Sequence, residues 1–117
     1  MRDTLTIYHN PACTKSRETL ALIRARGHEP QIVEYLKSPP SEAELTAIVR
    51  KLGIKPLELV RRNEQIFKNN YAGRKLGDKE WIKAMVKDPI LIQRPIVVRG
   101  DAAAIGRPPE DVERLLR

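Results

Sequence analysis

Residues 4–36 carry the strongest constraint on the fold, because an apolar alternation, a break, a helical stretch and a second apolar alternation follow one another there. Leu5 and Ile7 alternate with Thr4, Thr6 and Tyr8, the period-two pattern of a half-buried strand. His9, Asn10 and Pro11 end it. From Thr14 to Arg26 there is neither Gly nor Pro. Leu20 and Ile23 form a core-facing stripe flanked by Arg17, Arg24 and Arg26, so a helix is expected, stopped by Gly27. Gln31–Leu36, with Ile32, Val33 and Tyr35, reads as a second strand that Pro39 and Pro40 end. A strand, helix, strand sequence of this length implies a right-handed crossover and a parallel pair.

The remaining elements extend that start. Ser41 followed by Glu44 is a capping box, and Leu45, Ile48, Val49 and Leu52 keep the spacing of an amphipathic helix closed by Gly53. Pro56–Arg62 reads as a short helix, and the polar stretch Asn63–Gly77 gives little pattern. Asp78 is expected to cap a helix carrying Trp81, Ile82, Met85 and Val86, stopped by Pro89, with Trp81 as a core anchor. Ile96, Val97 and Val98 suit a buried strand, Gly100-Asp101 a turn, and Ala102–Ile105 its hairpin partner. A last helix is expected from about Pro109, with Val112, Leu115 and Leu116 on one face. The order implies an α/β fold of thioredoxin-like layout, a small mixed sheet with a helical insertion between the second and third strands. The 117 residues are expected to form a single domain spanning 1–117.

Composition narrows the function. One cysteine, Cys13, excludes an intramolecular disulfide and any multi-cysteine zinc site, so no metal is expected and a reducing compartment fits. No apolar run of the kind a signal peptide or membrane helix requires is present, and the expected location is the cytoplasm without a membrane partner. The net charge is +7, and residues 61–99 hold ten basic against four acidic side chains. That excess suits an anionic small molecule, an acidic protein or a nucleic acid. Only Phe67, Trp81, Tyr8, Tyr35 and Tyr71 are aromatic, too few for base-stacking platforms, and nucleic acid is the least expected of the three.

A lone cysteine is ordinarily a small buried hydrophobe. Cys13 instead lies between a strand end and a helix start, in the polar string His9-Asn10-Pro11-Ala12-Cys13-Thr14-Lys15-Ser16-Arg17. At the first turn of a helix, unpaired N–H groups and the positive dipole end stabilise a thiolate, with Lys15, Arg17 and His9 available to add to the field. The same N–H groups can cradle an oxyanion beside the nucleophile.

The string HNPACTKSR resembles the active-site segment of the ArsC family of glutathione/glutaredoxin-dependent arsenate reductases, and further stretches match in the family's order. These are EYLKSPPSEAEL, LVRRN at 59–63, ILIQRPIVV at 90–98 and IGRPPE at 105–110. The resemblance implies a thioredoxin-like fold in which Cys13 forms a covalent ester with arsenate. It implies that Arg61, Arg94 and Arg107 bind the oxyanion, that His9 tunes the cysteine and that Ser16 donates to thiolate or anion. Arg61 competes with its neighbour Arg62, and Arg94 stands out because it interrupts an apolar run. Pro95 matches a proline held in cis beside the site, and His28 is expected to be exposed and idle. Thr14 and Lys15 depart from the best-known members, which carry glycine after the cysteine, and point to a short branch of the family.

With no second cysteine, the electrons are expected from glutathione as co-substrate and from a glutaredoxin partner, with no bound cofactor. A thiol oxidoreductase acting on another substrate keeps the same residues. The alternative class is a Spx-type transcription regulator that binds RNA polymerase. Against it, the redox switch of such proteins uses a Cys-x-x-Cys pair, and here Ser16 occupies the second position.

Overall fold

The computed structural model describes residues 4–117. Two compact units make up the chain: residues 4–38 together with Arg94–Arg117, and the intervening Pro39–Gln93. The first unit holds a four-stranded sheet in the order β2-β1-β3-β4, from β1 Leu5–His9, β2 Gln31–Glu34, β3 Ile96–Arg99 and β4 Ala102–Ile105. β1 pairs in parallel with β2, as the crossover through helix α1 (Thr14–Ala25) requires, and antiparallel with β3. β3 and β4 form the hairpin expected around Gly100-Asp101, so the sheet is mixed.

Leu5, Ile7 and His9 turn to one face of β1 and are buried. Leu5 and Ile7 join Leu20 and Ile23 of α1, Val97 of β3, and Val112, Leu115 and Leu116 near the C-terminus in one core. The same alternation that buries Ile7 therefore turns a histidine inward at the end of β1.

The second unit is the helical insertion between β2 and β3. It contains α2 (Glu42–Leu52), α3 (Pro56–Leu59), α4 (Gln65–Asn70) and α5 (Asp78–Lys87). The Ser41–Glu44 capping box forms, with Glu44 N–H donating to Ser41 Oγ at 3.1 Å and Ser41 N–H to Glu44 Oε1 at 2.9 Å. Gly53 closes α2 at φ 70°, a left-handed conformation that glycine adopts without a Cβ penalty. Trp81 is buried, its ring 6.0 Å from those of both Phe67 and Tyr71. It anchors α5 to α4, as the core assignment expected.

Several elements differ from the expectation for identifiable reasons. β2 stops at Glu34 and not at Leu36, because Lys37 and Ser38 both donate backbone N–H groups to the Glu34 carbonyl and turn the chain. α3 stops at Leu59 and not at Arg62, because Val60 leaves it to bridge Ile92, with Arg61 N–H donating to Leu91 O at 2.7 Å. Gly77, not Asp78, occupies the cap of α5, its N–H donating to Glu80 Oε1. The last element, Pro109–Leu115, is a 3-10 helix. Arg114 donates to Ala103 O and Arg99 to Leu115 O, tying it to the strands. His28 is not idle: half-buried, it places Nε2 3.1 Å from Leu116 O and so holds that end of the chain.

Candidate active site

Residues His9 to Ser16 build a tight loop from β1 into α1. Asn10 shapes it twice: its carbonyl accepts from Cys13 N–H at 2.9 Å, and its Oδ1 accepts from Ala12 N–H at 3.0 Å. Cys13 becomes the N-cap of α1, with extended backbone at φ −96° and ψ 123°, and its carbonyl accepts the first helical bond from Arg17. The sequence string thus delivers Cys13 to the helix start, where unpaired N–H groups and the dipole favour an anion.

Ser16 and His9 lock that loop from beneath. Ser16 is fully buried, and its hydroxyl lies 2.6 Å from His9 Nδ1 while accepting from Asn10 N–H at 3.0 Å. Burial is the main cause that lowers the His9 pKa below its ordinary value; Glu34 opposes it, and Arg24 and Arg17 add to it. The neutral form of His9 is therefore favoured, and its contact with the loop is made through the Ser16 hydroxyl.

Arg94 and Arg107 come to the same loop from the β3 and β4 ends. The Arg94–Pro95 peptide is cis, as is Arg107–Pro108. Arg107 Nε donates to Arg94 O at 2.8 Å, and Arg107 Nη2 stands 3.7 Å from Cys13 Sγ. Gly106 makes this approach possible. A Cβ there would meet Thr19 Oγ1 at 2.4 Å and Pro95 Cγ at 2.9 Å, so only glycine lets the Arg107 turn close on α1.

The Cys13 thiol is held below its ordinary value. Burial pushes it up, but the Ser16 N–H, the charge and hydrogen bond of Arg94, and the Lys15 N–H together outweigh that effect. The charge that counts is therefore Arg94. Lys15 faces Glu18 at 3.5 Å, and Arg17 turns to the Pro11 carbonyl and Thr14 hydroxyl. A thiol with its charged form favoured, helix N–H groups and two guanidinium groups gathered around one loop are the parts from which a nucleophile beside an anion-binding surface can be made.

Five of the six expected site residues, Cys13, His9, Ser16, Arg94 and Arg107, thus meet in the sheet unit. Arg61 belongs to the insertion, where it pairs with Glu64 at 2.7 Å and donates to Ile90 O at 3.2 Å. Asn10, Thr19 and Gly106 were missed. Asn10 before Pro is a recognisable turn signal, whereas the closeness of Gly106 to Thr19 has no sequence signature. Among the described residues, no group of three or more His, Cys, Asp or Glu side chains is placed to hold a metal, and no helix is long and apolar enough to cross a membrane.

Known proteins share this chain almost end to end. It is 44% identical over 115 residues to an arsenate reductase of Haemophilus influenzae, covering 97% of this chain and 99% of that protein. It is 46% identical over 114 residues to the protein named Uncharacterized protein YfgD of Escherichia coli strain K12, covering 96% of each. The solved structure of an arsenate reductase from Vibrio cholerae superposes with a TM-score of 0.92 at 41% identity, covering 97% of this chain and 98% of that one. The ArsC family pattern matches residues 8–115, and the chain, with its thioredoxin-like fold, belongs to the ArsC family.

Proposed function

We propose that this protein is an arsenate reductase that works through a covalent adduct on Cys13. The observation that carries the reading is the lowered thiol at the α1 N-cap with the Arg107 guanidinium 3.7 Å from its sulfur. Arsenate is a multiply charged tetrahedral anion, and like charges keep a thiolate away from it. Arg94 and Arg107 offset that repulsion and offer forked donors to the arsenate oxygens, with Arg61 as the third arginine by resemblance. The helix N–H groups take up the remaining charge.

In the first step the Cys13 thiolate bonds to arsenic, and an arsenate oxygen leaves with protons as water. The arsenic is still pentavalent. Glutathione thiolate then attacks the Cys13 sulfur. The S–As bond breaks with its electron pair going to arsenic, which leaves as trivalent arsenite, while the two sulfurs form a mixed disulfide. A glutaredoxin thiol takes the glutathione off and returns Cys13 as a thiol. Two thiols are oxidised for each arsenate reduced. Ser16, held by His9 and Asn10, keeps its hydroxyl on the loop that carries the sulfur.

The test is a coupled assay with purified protein, arsenate, glutathione, glutaredoxin and glutathione reductase, following nicotinamide oxidation and arsenite release. Arsenate-dependent turnover that Cys13→Ser abolishes is expected. Absence of turnover, in protein whose Cys13 still reacts with glutathione disulfide, would transfer the site to another oxyanion or disulfide substrate.

A further inference from the structure

Among the described residues, three polar side chains that are not aromatic are buried: His9, Ser16 and Thr19. His9 and Ser16 lock the Cys13 loop, whereas Thr19 has no part in the chemistry proposed above. Thr19 lies three residues after Ser16, on the same inner face of α1, and is fully buried. Its hydroxyl donates to the Lys15 carbonyl at 2.8 Å. A threonine in a helix has two side-chain rotamers within reach, and a bond to the carbonyl four residues back selects between them.

The selected rotamer sets Thr19 against the turn that carries Arg107. A Cβ on Gly106 would meet Thr19 Oγ1 at 2.4 Å and Thr19 Cγ2 at 3.1 Å, so both branches of the side chain face the Gly106 backbone. Gly106 N–H in turn donates to Pro95 O at 2.9 Å, and Pro95 Cγ bounds the same narrow space. Arg107 itself is exposed, so its direction follows from the backbone it leaves and from the bond of its Nε to Arg94 O. Thr19 is thus wedged between the first turn of α1, which follows Cys13, and the turn that brings a guanidinium 3.7 Å from the sulfur.

We propose that Thr19 is a positioning residue: its hydroxyl, bonded to Lys15 O, sets the spacing between α1 and the Gly106 backbone that holds the Arg107 guanidinium beside the Cys13 sulfur. Replacing the hydroxyl by a methyl removes the bond and adds bulk against Gly106, so that Arg107 is displaced. The inference rests on the reading of Cys13 and Arg107 as one anion site, and its test needs no arsenate.

Cys13 is alkylated at fixed pH with iodoacetate, which is anionic, and with iodoacetamide, which is neutral; in each case the sulfur bonds to carbon and iodide leaves. Both reagents meet the same thiolate, so the ratio of their rates is independent of the thiol pKa and reports the positive charge beside the sulfur. The full chain is used, with its fold checked by circular dichroism. Arg107→Ala and Thr19→Val are each expected to lower the ratio by about fivefold, the scale of one charge pair near a surface. Thr19→Ser keeps the hydroxyl and should keep the wild-type ratio. In the Arg107→Ala background Thr19→Val should change nothing further, because it acts through that arginine. A purely structural role would lower the melting midpoint and leave the ratio of the folded protein unchanged. An unchanged ratio in Thr19→Val, or an equal drop with Arg107 already removed, would overturn the inference, as would a drop in Thr19→Ser equal to that in Thr19→Val. If Thr19→Val does not fold, Thr19→Ala, which loses the bond and adds no bulk, carries the same expectation. A wild-type ratio in Arg107→Ala would instead overturn the anion site itself, a result distinct from those that overturn Thr19 alone.

Discussion

At the scale of single residues, the site depends on which neighbour sets the protonation state of Cys13. Burial alone would make it a poor nucleophile, and the Ser16 N–H and Arg94 reverse that. Iodoacetamide alkylation against pH should therefore give a midpoint below the free-thiol value of about 8.5, moving upward in Arg94→Ala. A midpoint at or above that value in the wild type would remove the activated nucleophile. In the arsenate assay, Arg94→Ala should lower kcat/KM by about ten- to a thousandfold, the loss of one charge-assisted contact and the field on the thiolate. Its thermal unfolding midpoint should hardly move, since Arg94 is only half-buried and is not among the residues of the apolar core around α1. His9 gives a separate prediction. Its folded pKa lies below the ordinary 6.5, so the unfolded chain takes up a proton more readily than the folded one. The stability this contributes is whole above about pH 6.5 and is lost as pH falls through the lowered value. Thermal melts between about pH 7.5 and about pH 5 should thus show a larger loss for the wild type than for His9→Gln. Equal losses would mean that His9 charges without cost.

At the scale of elements, the turn after β4 decides where Arg107 stands. Gly106→Ala would push a Cβ into Thr19 Oγ1 and Pro95 Cγ, neither of which has room to withdraw. Overpacking of this kind costs about 1–3 kcal/mol, read as a lower urea midpoint, and kcat/KM should fall as well because Arg107 is displaced from Cys13. A variant with unchanged midpoint and rate would show that the turn adjusts freely. This contact also marks the limit of what the sequence discloses. The alternation in β1, the α1 stripe and the Ser41 cap are local patterns, and each formed where it was expected. Cys13 at the α1 start was legible for the same reason. Where the outcome was set by partners distant in sequence, local pattern misled: Val60 leaves α3 for Ile92, whereas the helix expected from Pro109 formed there as a 3-10 helix with Val112, Leu115 and Leu116 buried. The source of the field on Cys13 was misread likewise. Lys15 and Arg17 are near in sequence but engaged elsewhere, while Arg94, distant in sequence, arrives from the start of β3 beside the end of β1.

At the scale of the whole molecule, the electron donor proposed for this chain is argued from its single cysteine. An internal relay of cysteines would end in a disulfide that thioredoxin can open, and Cys13 is the only cysteine of the 117 residues. In the proposed cycle Cys13 is oxidised to a mixed disulfide with an external thiol, a bond of the kind a glutaredoxin resolves. The excess of 22 basic over 15 acidic side chains draws an anionic thiol toward the surface, and dissolved salt screens that attraction. Turnover of arsenate is therefore expected with glutathione and glutaredoxin, and none with thioredoxin and its reductase. Raising ionic strength from about 0.01 M to about 0.15 M shortens the screening length from about 30 Å to about 8 Å, and should raise the KM for glutathione with little change in kcat. Equal turnover with thioredoxin alone would show that a single cysteine does not dictate the donor. A KM for glutathione indifferent to salt would show that recognition is made by short contacts and not by the field of the molecule.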